Sequence, residues 1–366
     1  MNSPRVALVH DWLTGMRGGE KVLEVLCRMY PSADLFTMVH VPGSVSPAIE
    51  RLHPQASFLQ RLPGIGRFYR YCLPVFPIAI EQFDLDGYDL IVSTSHCAAK
   101  AAVKTGRARH LCYCFTPMRY AWDQFDAYFN SGRVGSAGNL VLRPVLSALA
   151  RWDASTASRA DRYVAISQHV ASRIRRYYNR DASVIYPPVD TGFYCPDSTA
   201  PEEFLAIVSA LVPYKRIDLA IEAAHLLKMP LRIAGSGPER ERLMKLAADR
   251  QANVEFLGSL ADEDVRLLYR RAAAVLLPGE EDFGIVPVEA QACGRPVVAL
   301  GRGGALETVI DGVTGVLVAE ATADALAGGI RRALQTSFDS AVIRAHATKF
   351  DTAVFTRSIQ NAIAHA

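Results

Sequence analysis

The sequence predicts two α/β doubly wound domains in tandem, and three observations carry that expectation. At 366 residues the chain exceeds one ordinary core and suits two domains of roughly 150 to 190 residues each. Short runs that are apolar throughout, such as Val6-Ala7-Leu8-Val9, recur along it, as parallel strands buried on both faces require. Helical periodicity fills most of the intervals between those runs.

In the first half, strands are expected over residues 6–9, 34–37, 90–93, 111–114, 163–166 and 183–185, with the first helix over 20–29. Tyr186-Pro187-Pro188-Val189-Asp190 breaks the pattern, because two prolines restrict the backbone and remove donors. The first domain is therefore placed at 1–187 and a linker without periodic structure at 188–202. The second domain, 203–345, repeats the alternation, with strands over 204–209, 231–234, 254–257, 274–277 and 297–300. Its helices are expected over 218–227, 238–248, 262–271 and 286–293, and a C-terminal helix within 346–366 is expected to pack back on the first domain. Such sheets bind ligands outside the carboxyl ends of their strands. Two of them are expected to face each other across a cleft.

Composition narrows the function. Lysine plus arginine exceeds aspartate plus glutamate by only 3, so no global field calls for a nucleic-acid partner. The seven cysteines are odd in number and form no CxxC, which argues against a disulfide framework or a zinc site. Met1 to Arg5 lead straight into a strand pattern without the regions of a signal peptide. The most apolar stretch, 72–80, is interrupted by Pro74 and Pro77 and is too short to span a membrane. A cytoplasmic protein is expected.

The most informative segment is Glu280-Glu281-Asp282-Phe283-Gly284-Ile285-Val286-Pro287-Val288-Glu289. It follows a buried strand and opens a helix whose dipole and free N–H groups suit a diphosphate, with Gly284 allowing close approach. Glu281 and Glu289 can accept hydrogen bonds from vicinal hydroxyls; equally, Glu281 can cap the helix and Glu289 face solvent. Val212-Pro213-Tyr214-Lys215-Arg216 follows the first strand of this half, where Lys215 and Arg216 suit phosphate oxygens or a solvated surface. Gly235-Ser236-Gly237-Pro238 is another strand-to-helix turn, and Gly303-Gly304-Ala305-Leu306-Glu307 a third close-approach turn.

Taken in order, these motifs, with Cys293-Gly294-x-Pro296 and Asp311-Gly312-x-x-Gly315, resemble the donor-binding half of the retaining family 4 glycosyltransferases over 208–318. The resemblance implies a GT-B fold of two Rossmann-like domains. It also implies that Lys215 holds the donor diphosphate, Glu289 the ribose and Glu281 the transferred sugar, with Gly237, Phe283 and Gly284 around the donor. Similar enzymes usually have arginine where this chain has Ala210, so diphosphate binding is expected to lean on Lys215 and Arg216 together. Glu281, Lys215 and Arg216 are accordingly the expected catalytic residues.

In the first half, His10-Asp11-Trp12-Leu13-Thr14-Gly15-Met16-Arg17-Gly18-Gly19-Glu20 is a glycine loop opening a helix. Gly18 and Gly19 suit either a donor phosphate or a plain tight turn. The loop resembles a branch that includes mannosyltransferases of bacterial surface-polysaccharide assembly. Cys112-Tyr113-Cys114-Phe115-Thr116-Pro117-Met118-Arg119-Tyr120-Ala121-Trp122-Asp123 resembles the same branch, with Phe115 where related enzymes commonly carry an active-site histidine. Arg119, Tyr120, Trp122 and Asp123 suit an acceptor sugar or aromatic core packing, and His96 ends another strand as a further acceptor-side candidate. Arginines interleaved with aromatics over 60–71 suit an anionic membrane surface or a solvated helix edge.

The expected reaction is transfer of a hexose, mannose from GDP-mannose as first guess, to a growing and lipid-linked saccharide at the inner face of the cytoplasmic membrane. No cofactor is expected. Without an Asp-x-Asp motif no metal is expected either. A sugar-nucleotide epimerase of the same fold and a non-catalytic donor-binding subunit are the alternatives.

Overall fold

The computed structural model describes residues 4–122 and 131–365, backbone only at 120, 121 and 131–142. The chain divides into two units, Met1–Pro187 with Phe355–Ala366, and Pro188–Val354. In the first unit β1 (Val6–His10), β2 (Asp34–Thr37), β3 (Gln55–Ala56), β4 (Leu90–Ser95), β5 (Arg109–Cys114), β6 (Arg162–Ala165) and β7 (Ala182–Val184) form one sheet. Its order is β3-β2-β1-β4-β5-β6-β7, with every pair parallel. In the second, β8 (Leu205–Val208), β9 (Leu231–Ala234), β10 (Val254–Gly258), β11 (Ala274–Leu277), β12 (Val297–Leu300) and β13 (Gly315–Val318) repeat the plan. That order is β10-β9-β8-β11-β12-β13, again parallel. Both sheets are Rossmann-like, and both reverse direction beside their first strand, at β1/β4 and β8/β11. Chain connections part there and leave a crevice at the strands' carboxyl ends.

The longer helices of the first unit are α1 (Gly18–Met29), α2 (Ser131–Ser155) and α3 (Gln168–Tyr178). The second unit holds α4 (Ile217–Leu227), α5 (Arg240–Asp249), α6 (Asp262–Arg271), α7 (Ile285–Ala292), α8 (Ala323–Gln335) and α9 (Ser340–Ala347), and α10 (Thr352–Ala364) crosses the division. Helix α1 starts two residues before the expected 20, because Glu20 folds back to accept the Arg17 N–H at 3.1 Å. That contact satisfies a donor at the helix start. Strands β3 and β13 and helices α8 and α9 were not expected. At two residues, Gln55-Ala56, β3 is too short for an apolar run, β13 begins inside a glycine motif, and Gly328-Gly329 dilutes the pattern of α8.

Residues 188–202 carry no regular element, yet they are strapped to the second unit. Val189 bridges to Asp351, Arg344 donates to the carbonyls of Thr191 and Tyr194 at 3.2 and 3.3 Å, and Arg270 Nε donates to that of Cys195 at 2.6 Å. Residues 346–351 also stay with this unit, where His346 Nδ1 lies 2.9 Å from Gln291 Oε1. Beyond them Phe355 sets its ring edge-on to Tyr113 at 5.6 Å, and Arg162 donates to the carbonyl of His365 at 3.2 Å.

His110, on β5, is fully buried between Ser93 Oγ at 2.8 Å and the Arg159 carbonyl at 3.3 Å. Burial pushes its pKa down to about 4, against the pull of that carbonyl and of Asp161. The unfolded chain, with an ordinary histidine near ~6.5, takes up the proton first on acidification. Stability present above that value is therefore lost as pH falls towards 4, by about 2 kcal/mol at pH 5. Urea midpoints at pH 7 and pH 5 test this: His110→Gln should shrink the difference, and an undiminished difference would count against it. Burial shifts His96 and His346 the same way, so some slope remains.

Candidate active site

In the second unit, Lys215 closes the 3-10 turn Pro213–Lys215 that follows β8, and Glu281 lies on the loop after β11. These strands are neighbours, so residues 66 apart in sequence meet: Lys215 Nζ pairs directly with Glu281 Oε1. Backbone packing makes the meeting possible. A Cβ on Gly279 would lie 2.4 Å from the Tyr214 carbonyl and 2.8 Å from Lys215 Cα. From the other side Gly303 bridges to Glu281, and Gly304 N–H donates to the Glu281 carbonyl at 2.8 Å. A Cβ on Gly304 would sit 2.3 Å from Phe283 Cα. The close approach at Gly303-Gly304 is therefore to the Glu281 loop itself. Gly237 likewise makes room for backbone, here the loop after β8, since its Cβ would meet the Leu211 carbonyl at 2.4 Å. Gly284 is needed for conformation, with φ +89 at the start of α7, a region L side chains avoid.

Other expected donor residues fall differently. Arg216, at the left-handed φ of 51, turns its guanidinium to Asp218 at 3.3 Å. The Phe283 side chain is buried, its ring centre 5.6 Å from that of Phe350. Glu289, on α7, is 5% exposed and accepts a 3.0 Å hydrogen bond from the Tyr269 hydroxyl. Tyr194 lies beside it, ring to ring with Tyr269 at 6.0 Å. Burial, and then the charge of Glu289, push both tyrosine hydroxyls up, which keeps them donors to that carboxylate. Neither tyrosine was singled out from the sequence, and Tyr194 sits in the stretch taken for a linker.

In the first unit the corresponding crevice lies at the ends of β1 and β4. Asp11 is fully buried and accepts four backbone N–H groups, from His96 and Cys97 on one oxygen (2.7 and 2.9 Å) and Ala98 and Ala99 on the other (2.7 Å each). His96 Nδ1 also lies 3.1 Å from Asp11 Oδ2. Burial lowers the pKa of His96 and the Asp11 charge opposes it. Next door, His10 places Nδ1 2.7 Å from Thr94 Oγ1 and Nε2 3.8 Å from Glu20. Glu20 is pushed up by burial, but contact with His10 outweighs this and its pKa is lowered.

Residues 16–193 match the model described as Glycosyltransferase Family 4, and residues 197–350 match Glycosyl transferases group 1. Each half of the chain thus carries a glycosyltransferase domain, and its two Rossmann-like units are those of the GT-B fold. It is 34% identical over 181 residues to D-inositol 3-phosphate glycosyltransferase of Mycobacterium sp. (strain KMS), which takes in 43% of this chain and 41% of that protein. The match thus spans less than half of the relative's length. Among solved structures, the Anabaena protein HepE in complex with UDP and glucose superposes with a TM-score of 0.75 at 20% identity, covering 100% of both chains. Sucrose-phosphate synthase from Thermosynechococcus elongatus gives 0.72 at 19% identity over 98% of each. These likenesses show the fold. Relatives named as transferases and a synthase do not favour the epimerase alternative.

On the first unit, α1 begins at Gly18, and Gly19 lies under Phe115: a Cβ there would be 3.3 Å from the Phe115 ring. Phe115 in turn packs with its ring centre 6.2 Å from that of His96 and 6.5 Å from that of His10. Trp122 stacks on Tyr177 at 4.7 Å and donates to Asp153 Oδ2 at 2.8 Å, which is core packing rather than an open sugar platform. Arg119 is half-buried at the start of the short helix Arg119–Trp122. The Tyr120 side chain and Asp123 lie outside the described residues.

Proposed function

We propose that this chain transfers a hexosyl group, with retention of configuration, from a nucleotide sugar to a saccharide acceptor. The observation that carries it is the Lys215–Glu281 pair at the β8/β11 switch point. Breaking a glycosyl–phosphate bond leaves negative charge on the diphosphate. Lys215, the N–H groups opening α7, and Arg216 once turned from Asp218 would stabilise it where it develops. Glu281, released from Lys215 by that diphosphate, would accept hydrogen bonds from hydroxyls of the transferred sugar, and Glu289, held by Tyr269, those of the ribose. Acceptor contacts fall to the first unit. The reaction needs no metal on this account, so a chelator should leave turnover unchanged.

GDP-mannose is the first donor to test and UDP-glucose the second, the latter because HepE was solved with UDP and glucose. Mass spectrometry of a nucleotide-sugar panel, with a cell-envelope lipid extract as acceptor, should show one donor consumed and one glycan extended. Tight nucleotide binding with no turnover of any donor would instead favour the non-catalytic donor-binding subunit, a reading that Phe115 and Ala210 keep in play.

Among the described residues no helix is long and apolar enough to cross a membrane. The segment from 58 to 78 nevertheless exposes Leu62, Tyr71 and Ile78, the last two at 86% and 64%, beside exposed Arg61, Arg67 and Arg70. Arginine with apolar tips suits an anionic bilayer interface, and a lipid-linked acceptor would be met there. Cosedimentation with phosphatidylglycerol vesicles should fall about tenfold for Tyr71→Ser/Ile78→Ser, taking ~0.8 kcal/mol per CH₂ withdrawn. Equal binding of variant and wild type would remove the membrane from this picture.

A further inference from the structure

We propose that Asp11 is the positioning residue of the first unit: it fixes the His96 ring so that Nε2 is the bare, accepting nitrogen, and that nitrogen receives a hydroxyl of the saccharide acceptor. The proposal rests on the transferase reading above.

The geometry is specific. An ionised carboxylate has about four lone-pair sites, and the N–H groups of residues 96 to 99 occupy both Asp11 oxygens. Those bonds fix the loop after β4, so the His96 side chain has one place to go. There Nδ1 lies 3.1 Å from Asp11 Oδ2, and a bare nitrogen so close to a carboxylate oxygen would set two lone pairs against each other, so Nδ1 carries the proton. Trp12 closes one side of the ring, edge-on at 4.4 Å, and Phe115 stands at 6.2 Å. The side chain remains 27% exposed, and among the described residues none hydrogen-bonds Nε2.

The surrounding charges agree with a neutral ring. The titratable and charged groups facing it are Asp11 and His10 from β1 and its end, and Arg17 and Glu20 from the start of α1. Asp11 is already filled by four backbone N–H groups, and Glu20 faces His10 and accepts the Arg17 N–H, so neither is left to hold a second proton on Nε2. The crevice beside β1 and β4 is also where a sheet of this order offers groups to a ligand. Phe115, where similar enzymes commonly have histidine, offers no hydrogen bond; of the two imidazoles beside it, His10 is fully buried and His96 is the one with an exposed edge.

Two measurements test this. In wild-type protein labelled with ¹⁵N-histidine, long-range ¹H–¹⁵N correlation should show His96 protonated on Nδ1 and bare on Nε2. A proton on Nε2 overturns the assignment to Asp11. In kinetics, His96→Phe keeps a ring against Trp12 and Phe115, so the fold should survive where Asp11→Asn, which turns an amide NH₂ onto backbone donors, risks losing it. With octyl mannoside, glucoside and galactoside as acceptors, His96→Phe should raise the acceptor KM about tenfold or more for one lost hydrogen bond. UDP and GDP affinities by calorimetry should stay within about twofold. An unchanged acceptor KM overturns the role of Nε2 while the transferase reading stands on the wild-type turnover in the same assay. An inactive wild type overturns the transferase reading and the acceptor half of this proposal with it, and the tautomer still judges Asp11.

Discussion

Replacing Lys100 by methionine should cost this protein about 3–5 kcal/mol of stability, the usual cost of breaking a buried ion pair from one side. Lys100 is 1% exposed and Asp153 wholly buried. The ammonium lies 3.1 Å from Asp153 Oδ1 and donates to the Asp153 carbonyl at 2.6 Å and to Thr156 Oγ1 at 3.1 Å. It also sits 4.6 Å above the Tyr178 ring. The other carboxylate oxygen takes Trp122 Nε1 at 2.8 Å and the Tyr178 hydroxyl at 2.9 Å. Methionine fills the volume but leaves a buried carboxylate without a counter-charge. Lys100→Met/Asp153→Asn should recover part of the loss, since the stranded charge is then gone. Urea denaturation of the single and double variants measures both. A single variant as stable as wild type would show that the pair contributes nothing. Because Lys100 directly follows the loop that Asp11 holds, the variant should also loosen His96.

The strands were legible for a plain reason: a parallel strand covered on both faces must be apolar throughout, and Leu205–Val208, Ala274–Leu277 and Val297–Leu300 fall where such runs stand. Edge strand β3 buries too little to write that pattern. Positions defined by distant backbone left no local mark. Asp11 takes its hydrogen bonds from residues 85 to 88 places later, and nothing beside it in sequence announces that. Tyr194 reaches Tyr269 from a stretch without periodicity, because the strap is held through its carbonyls by Arg344 and Arg270 rather than by a helix or strand. Glycines were visible as positions needing room, but sequence does not say for what. At Gly237, Gly303 and Gly304 the room is for a neighbouring loop. Order along the chain still placed Lys215 and Glu281 in one half, and the two strand ends then bring them into contact.

That use of glycine leads to the second large effect. Gly304→Ala should lower kcat/KM about a hundredfold or more, the scale on which a misplacement of 1 Å acts, although residue 304 need touch no substrate. Its Cβ would fall 2.3, 2.5 and 2.6 Å from Phe283 Cα, O and N. These are backbone atoms, so the loop 281–283 must move as a piece. The Gly304 N–H bond to the Glu281 carbonyl then lengthens, and the Glu281 carboxylate leaves the place where it meets Lys215. Glu281→Ala should lose at least as much activity, and Gly304→Ala/Glu281→Ala no more than Glu281→Ala alone, because residues acting as one unit are not additive. Gly328→Ala is the control: nothing lies within 4 Å of its Cβ, and it sits inside α8. It should keep full activity and gain about 0.5–1 kcal/mol from lower backbone freedom in the unfolded chain. Steady-state kinetics on the donor that the wild type consumes, beside thermal melts of each variant, separates a displaced Glu281 from a damaged fold. If Gly304→Ala is folded and fully active, the loop tolerates the displacement and Glu281 does not need the placement seen here.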